Sequence, residues 1–455
     1  MEFHPVRLED KAAIEQYTRS SGICNCDLAF ANMYCWEGTY RSAWCIEEGF
    51  LLIRFYIDGS RHIGYMQPLG TGDFTHLIPR LEADARQFGQ PLRLSGLTRE
   101  GADAVRQAHP EFGIWRNRDY EDYVYNAADL RNLAGRKYQP KRNHVNRFEA
   151  MYEYRYEPLT PALITECMRL EREWRAQHEG HRSELTAEQC AMQRAFDHFE
   201  ELELQGGALF VGDTLAAFTF GSAINDHAFC VHVEKADTHY DGAFTMINQL
   251  FAQHLPENYT LIDREEDLGL DGLRQSKLSY HPAFLQPKLT AQRLDEERLQ
   301  IRALWRECFD DSDDYIEQYL LARYDPRRLY AERREGRIAA MLHVIPFGDT
   351  AYIYGVATAP EYRRQGLAGG LLHRALDACR TEGFRLAALI PGDESLRRWY
   401  AGFGFAGDIP VRFRTRDAFD FGTGDAAADR AMILPLDDEP FTAETLELGD
   451  KAQNE

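Results

Sequence analysis

The feature that most constrains this chain is an internal repeat. Residues 208–255 read ALFVGDTLAAFTFGSAINDHAFCVHVEKADTHYDGAFTMINQLFAQHL, and residues 329–379 read LYAERREGRIAAMLHVIPFGDTAYIYGVATAPEYRRQGLAGGLLHRALDAC. Each stretch runs strand, glycine turn, strand, polar turn, strand, glycine loop, amphipathic helix. The turns at Gly212 and Gly336 correspond. Leu-Ala-Ala from Leu215 matches Ile-Ala-Ala from Ile338, and Tyr240 and Tyr362 fall just before the two loops. Hairpin strands followed by a helix and a further strand give a mixed α/β sheet, so the fold class is α/β with mixed sheets.

A length of 455 residues exceeds one ordinary core and sets an expectation of two or three domains. The two-proline stretch HPAFLQPKLTAQRL, ahead of a new helical pattern, reads as a linker at about Gln286–Leu294. The expected division is 1–150, 151–288, 294–436 and a solvated acidic tail, 437–455.

Within 294–436, Leu299, Ile301, Leu304, Trp305 and Cys308 have helical spacing over 295–309. A second helix is expected over 311–324, with Ser312 as N-cap and Asp313 and Asp314 in its first turn. After the strand AYIYGVATAP comes RRQGLAGGLLHRAL. Arg363, Gly366 and Ala368 there satisfy Q/R-x-x-G-x-G/A at the mouth of a helix. Consecutive unsatisfied N–H groups at a helix N-terminus suit a pyrophosphate, and residues without bulky side chains let it approach. Alone, this match is also what a helix start with a solvated arginine pair would give. A strand at 384–390 follows, then PGDESLRRWYAGFGF, with Tyr400 on an apolar helix face in the pattern Y-x-x-x-G-F.

These two motifs, in this order of elements, make residues 294–436 resemble the GNAT acetyltransferase superfamily. The resemblance implies binding of acetyl-CoA or a related acyl-CoA. Arg364, Gln365, Gly366, Leu367, Ala368 and Gly369 would receive the pyrophosphate, with Arg363 adding charge at the rim, and pantetheine would pair along Val356 and Ala357 like an added strand. It also implies that Tyr400 protonates the departing CoA thiolate; the alternative role for Tyr400 is a core tyrosine. Asp393 stands where such enzymes often carry asparagine, and the preceding strand ends at Pro391. The general base is unassigned: His343 and Tyr354 lie on central strands, where either a core or a cleft position is open, and Glu332 lies on an outer strand.

The segment from Asp122 to Glu149 carries six Arg or Lys residues between Leu130 and Phe148 and no acid, in a chain of net charge -21. It reads either as a solvated helix face or as an anion site built from Arg136, Lys137, Lys141, Arg142 and Arg147. Together with IDREEDLGLDGLRQSKLSYHP at 262–282, it makes about 3–288 resemble a bacterial family related to the C-terminal domain of phosphatidylglycerol lysyltransferases. That resemblance implies two further GNAT-like lobes, making three in tandem, and a possible charged-tRNA or other polyanion partner at Arg136–Arg147. The loop HYDGAF at 239–244 lacks the arginine pair of its C-terminal counterpart, which makes it a poor CoA site.

The acidic balance argues against a chain that coats nucleic acid over its whole surface. The N-terminus lacks an apolar signal core, and the longest apolar stretch, 214–224, is too short to span a bilayer. With nine cysteines, an odd number scattered among apolar segments, the expectation is a cytoplasmic protein with reduced thiols. Cys24 and Cys26, near Cys35 and Cys45, read as buried structural residues, and His178 and His181 as part of an exposed loop; no metal is expected. Three readings remain. The first is an N-acyltransferase moving acetyl from CoA to a small-molecule or peptide amine; the second, an aminoacyl-tRNA-dependent transferase centred on the N-terminal lobes; the third, a non-catalytic CoA-binding sensor.

Overall fold

The computed structural model describes residues 1–57, 61–176, 182–415, 419–423, 429–437 and 441–450, without the side chains of 182–185. The His178 and His181 pair lies outside the described residues. The chain forms two compact units, Met1–Pro110 with Arg116–Gln292, and Glu111–Trp115 with Arg293–Glu455.

The first unit holds two sheets. In one, Ala43–Glu47, Phe50–Tyr56 and Ile63–Met66 form an antiparallel meander. Helix Ile78–Gln87 then crosses to Arg93–Leu97, which pairs parallel to Ile63–Met66. Leu289–Arg293 joins next, antiparallel. The stretch expected to be a linker is therefore paired backbone. Leu289 and Ala291 are buried and two apart, the spacing of a strand face.

The second sheet repeats the scheme. Tyr154–Pro158, Gln205–Val211, Thr214–Ala223 and Ala228–Ala236 form the meander. Helix Ala243–His254 crosses to Leu261–Asp263, parallel to Ala228–Ala236. Asp122–Asn126 and Phe284–Gln286 complete the sheet. It takes Asp122–Asn126 from ahead of the expected seam at 150. Tyr123, Val124 and Tyr125 are all fully buried, which requires a strand covered on both faces.

The second unit has the scheme a third time: Leu329–Arg334, Arg337–Phe347 and Thr350–Thr358, helix Leu367–Thr381, then Leu386–Leu389 parallel to Thr350–Thr358. The fold is thus mixed α/β, with GNAT-like lobes in tandem. Helix Leu367–Thr381 buries Leu371, Leu372, Ala375, Leu376 and Cys379 on one face of the third sheet, and Ile301, Leu304 and Trp305 cover the other. Each fully buried leucine contributes about 1.5–3 kcal/mol.

The acidic tail is not wholly solvated. Leu446–Gly449 pairs parallel to Ala406–Arg414, with Leu446 and Leu448 facing the core. Alternation over four residues is too short to stand out in an acidic sequence.

Candidate functional site

In the second unit, strand Thr350–Thr358 is longer than its parallel partner. Pairing runs Thr350↔Leu386 to Tyr352↔Ala388 and stops there, while the strand continues for six more residues. On the opposite edge His343 pairs with Tyr354 and Met341 with Ala357, so Gly355 and Val356 together oppose Leu342 in a β-bulge. Gly355 has φ +59, and a Cβ there would meet His343 and Trp305 at 3.3 Å. Val356 and Ala357 therefore carry backbone groups beyond the last parallel pair, where an extended chain of atoms can add like a strand.

The glycine loop follows. Arg363 is extended, its Nε donating to the Thr358 carbonyl at 3.1 Å, and Arg364 is left-handed at φ +63. Gln365 Nε2 donates to the Glu361 carbonyl. Gly366, at φ +78, starts the helix, whose first bond runs from Gly370 N–H to the Gly366 carbonyl at 3.0 Å. The amides of Leu367, Ala368 and Gly369 therefore have no acceptor within the helix and carry its positive end. At Gly366 the requirement is conformational, since nothing lies within 4 Å of an added Cβ; at Gly369 a Cβ would meet the Phe403 ring at 3.3 Å.

Tyr400 lies on helix Glu394–Ala401, just after Leu386–Leu389, and is 6% exposed. Its ring packs on Trp399 and Phe405, and burial pushes its phenol upward. Among the described residues its hydroxyl has no hydrogen-bond partner. Asp393 caps this helix, accepting from Leu396 N–H at 2.7 Å.

The residues considered as a base are placed differently. His343 is 1% exposed and ringed by Trp305, Tyr319 and Tyr324, and among the described residues neither ring nitrogen has a partner. Burial lowers its pKa to about 3, so it is neutral and remote from solvent. Tyr354 hydrogen-bonds Tyr315, and Glu332 pairs with Arg374 at 2.7 Å.

The corresponding loop in the first unit is covered. Gly242 starts helix Ala243–His254 at φ +92, but the His144 carbonyl lies 2.8 Å from where a Cβ would stand. His144 belongs to helix Gln139–Met151, and Arg147 on the same helix pairs with Asp241 at 2.7 Å. A segment of the basic run thus packs where a pyrophosphate would lie. Most of the other cations are similarly engaged. Arg131 donates to the carbonyls of Ala252, Leu255, Pro256 and Tyr259, Arg142 to those of Leu133 and Gly135, and Lys137 pairs with Asp129. Lys141 lies 3.7 Å over the Tyr280 ring, and burial and Arg264 lower its pKa to about 8. Arg136 is exposed.

One polar centre of this unit had no counterpart in the sequence reading. Lys288, from the stretch taken as a linker, is buried with its Nζ 2.8 Å from Asp122, 3.0 Å from Asp27, 3.2 Å from Cys26 Sγ and 3.5 Å from Glu266. Burial alone would lower this ammonium, but Asp122 and Asp27 raise it well above the usual lysine range. Burial raises Asp122 to about 7, with Lys288 opposing. Beside this centre, Cys230, His232 and Glu265 converge. The stretch IDREED at 262–267 supplies Glu265 to one of these clusters and Glu266 to the other. All nine cysteines are free thiols, and seven are buried.

Comparison with known proteins places both units. The family model described as "Phosphatidylglycerol lysyltransferase, C-terminal" matches residues 19–292, and "Acetyltransferase (GNAT) domain" matches residues 291–407. A solved protein of unknown function from Bacteroides thetaiotaomicron is 39% identical, covering 65% of this chain and 100% of its own, with a TM-score of 0.62. The structure of L-PGS from Bacillus licheniformis is 14% identical, covering 64% of this chain and 93% of its own, at a TM-score of 0.45. An uncharacterized protein of Mycoplasmoides gallisepticum is 27% identical over 180 residues, 36% of this chain, which spans 53% of that relative. With its family match running through more than half of its length, the chain belongs to the phosphatidylglycerol lysyltransferase C-terminal family and carries a GNAT acetyltransferase domain behind that region.

Proposed function

We propose that the second unit is an N-acyltransferase that moves acetyl from acetyl-CoA to an amine. The observation that carries this reading is the open edge of Thr350–Thr358 beside the bare amides of Leu367, Ala368 and Gly369. A pantetheine arm and a pyrophosphate need these two features together. Acetyl-CoA, when bound, supplies the activated acyl group. Gln365–Gly369 hold its pyrophosphate, with Arg363 and Arg364 at the rim, and Val356 and Ala357 align its arm. The neutral amine attacks the thioester directly, and the Tyr400 hydroxyl donates a proton to the departing sulfur. Burial keeps that phenol protonated through neutral pH. His343 is too buried to take the amine proton, so water takes it. The acceptor is a small-molecule or peptide amine.

The test is release of CoA thiol from acetyl-CoA across a panel of amines, using the full chain. Amine-dependent release that disappears in Gly366→Asp supports the reading. Acetyl-CoA binding without turnover on any amine would leave the third reading, a CoA-binding sensor.

Aminoacyl transfer by the first unit is a second reading, favoured by its family membership. Against a charged-tRNA donor at Arg136–Arg147 stands the internal engagement of Lys137, Lys141, Arg142 and Arg147. RNA binding with a steep salt dependence would support this second reading. Among the described residues no helix is long and apolar enough to cross a membrane.

A further inference from the structure

The convergence of Cys230, His232 and Glu265 in the first unit is a different matter from the acyl-transfer chemistry. Cys230 and His232 are two apart on strand Ala228–Ala236. The register of that strand against Thr214–Ala223 slips here: Phe220 pairs with Val233 and Gly221 with Val231, which makes His232 the extra residue of a β-bulge. Glu265 follows Leu261–Asp263 in a left-handed conformation at φ +57, uncommon for a residue with a Cβ. One sulfur, one nitrogen and one oxygen from these three side chains lie within 4.8 Å of one another.

We propose that Cys230, His232 and Glu265 form a binding site for a divalent transition-metal ion, with zinc the best fit to the donor set. Thiolate, imidazole and carboxylate together match a borderline-soft ion that prefers tetrahedral coordination. Glu265 Oε1 lies 3.5 Å from Cys230 Sγ and 3.0 Å from His232 Nδ1. Zinc bond lengths of about 2.3 Å to sulfur and 2.0–2.1 Å to nitrogen or oxygen give tetrahedral edges of about 3.5 and 3.3 Å. The ligand atoms therefore stand close to the required spacing. The far side of the imidazole is also held, with Ser222 Oγ 2.8 Å from His232 Nε2, and Asn32 Nδ2 donates to Glu265 Oε1 at 3.0 Å. A metal-binding histidine characteristically has its other ring nitrogen tied in this way.

The neighbouring set, Cys26, Asp122 and Glu266, makes the contrast. There the Lys288 ammonium sits 3.2 Å from Cys26 Sγ, 2.8 Å from Asp122 and 3.5 Å from Glu266, already supplying the cation. Among the described residues no lysine or arginine is ion-paired with Cys230, His232 or Glu265; the buried Lys277, whose ammonium Glu265 helps to hold charged, gives its hydrogen bonds to the Arg264 and Glu266 carbonyls instead. Three protein ligands leave one tetrahedral position for water or a substrate atom. The bound ion fastens the backbone after Leu261–Asp263 onto strand Ala228–Ala236.

The experiment uses the full chain, stripped with a chelator and titrated with Zn²⁺ against a competing chromophoric chelator, and separately with Co²⁺ followed by absorption. One equivalent bound, with a thiolate-to-cobalt charge-transfer band, is expected. Cys230→Ser and His232→Ala abolish the band. Ser222→Ala, which frees only the far ring nitrogen, weakens zinc binding about 10–100-fold. Cys26→Ser leaves binding unchanged. Circular dichroism of each metal-free variant checks folding, and Ser222→Ala decides the matter if a ligand variant does not fold. No uptake by the wild type in competition overturns the proposal. So does full uptake by folded Cys230→Ser, or loss of the band in Cys26→Ser alone.

Discussion

Replacing Tyr400 with phenylalanine separates chemistry from packing because of where its hydroxyl lies. The ring is 6% exposed and packs on Trp399 and Phe405, contacts that phenylalanine keeps. Losing an intramolecular hydrogen bond costs about 0.5–1.5 kcal/mol, but the Tyr400 hydroxyl has no such partner among the described residues. The expected stability change is therefore within about 0.5 kcal/mol of zero. Loss of a general acid is expected to lower kcat about 10²–10⁴-fold. That is a barrier increase of about 2.7–5.4 kcal/mol. The assay is CoA-thiol release under saturating acetyl-CoA with the best amine found, alongside a melting curve on the same two preparations. Acetyl-CoA affinity should be unchanged. Turnover equal to wild type, with or without a lowered Tm, would remove Tyr400 from the mechanism.

His343 predicts an acid-sensitive fold. Its pKa is depressed from 6.5 to about 3, so below pH 6.5 the unfolded chain takes up a proton that the folded chain refuses, and stability falls as pH drops. The loss should reach about 2 kcal/mol by about pH 5, and urea titrations of His343→Leu should lack this component, since among the described residues neither ring nitrogen has a partner to lose. Leu448→Ala should destabilise the chain by about 2–5 kcal/mol in the same titrations, because the side chain is fully buried; an unchanged midpoint would mean the tail strand is not docked. Arg147→Ala should not create CoA binding in the first unit, measured by calorimetry on a Gly366→Asp background, because the Gly242 loop remains covered by His144.

What the sequence revealed was what local chemistry specifies. Ser312 caps its helix through Tyr315 N–H, and the expected helix from 295 runs Glu296–Cys308 with Asp295 as its cap. The repeat was legible because each copy keeps its own turns and apolar periodicity; the structure adds that both copies carry a bulge on the strand that leads into the glycine loop. Features set by distant pairing were not legible. Lys288 sits between Pro287 and Leu289 in a short stretch with two prolines, and only the fold brings it to Asp122 and Cys26, more than 150 positions away. Cys230 and His232 have a strand spacing that says nothing without Glu265, which arrives through a parallel crossover. His343 could not be assigned to a face by alternation alone; its burial follows from Trp305 and Tyr319 packing over it.

In the proposed acetyl-CoA site, the glycine loop of the second unit would hold the pyrophosphate. Gly366→Asp tests it cleanly. Aspartate is among the residues that tolerate left-handed backbone, and an added Cβ meets nothing within 4 Å, so the fold should survive. The new carboxylate would stand beside the bare amides of Leu367, Ala368 and Gly369, where a pyrophosphate must approach. Calorimetric titration of acetyl-CoA into both full-length proteins is the measurement. Binding of one equivalent to the wild type and none to folded Gly366→Asp is the predicted result, and equal affinity in the two proteins would contradict it.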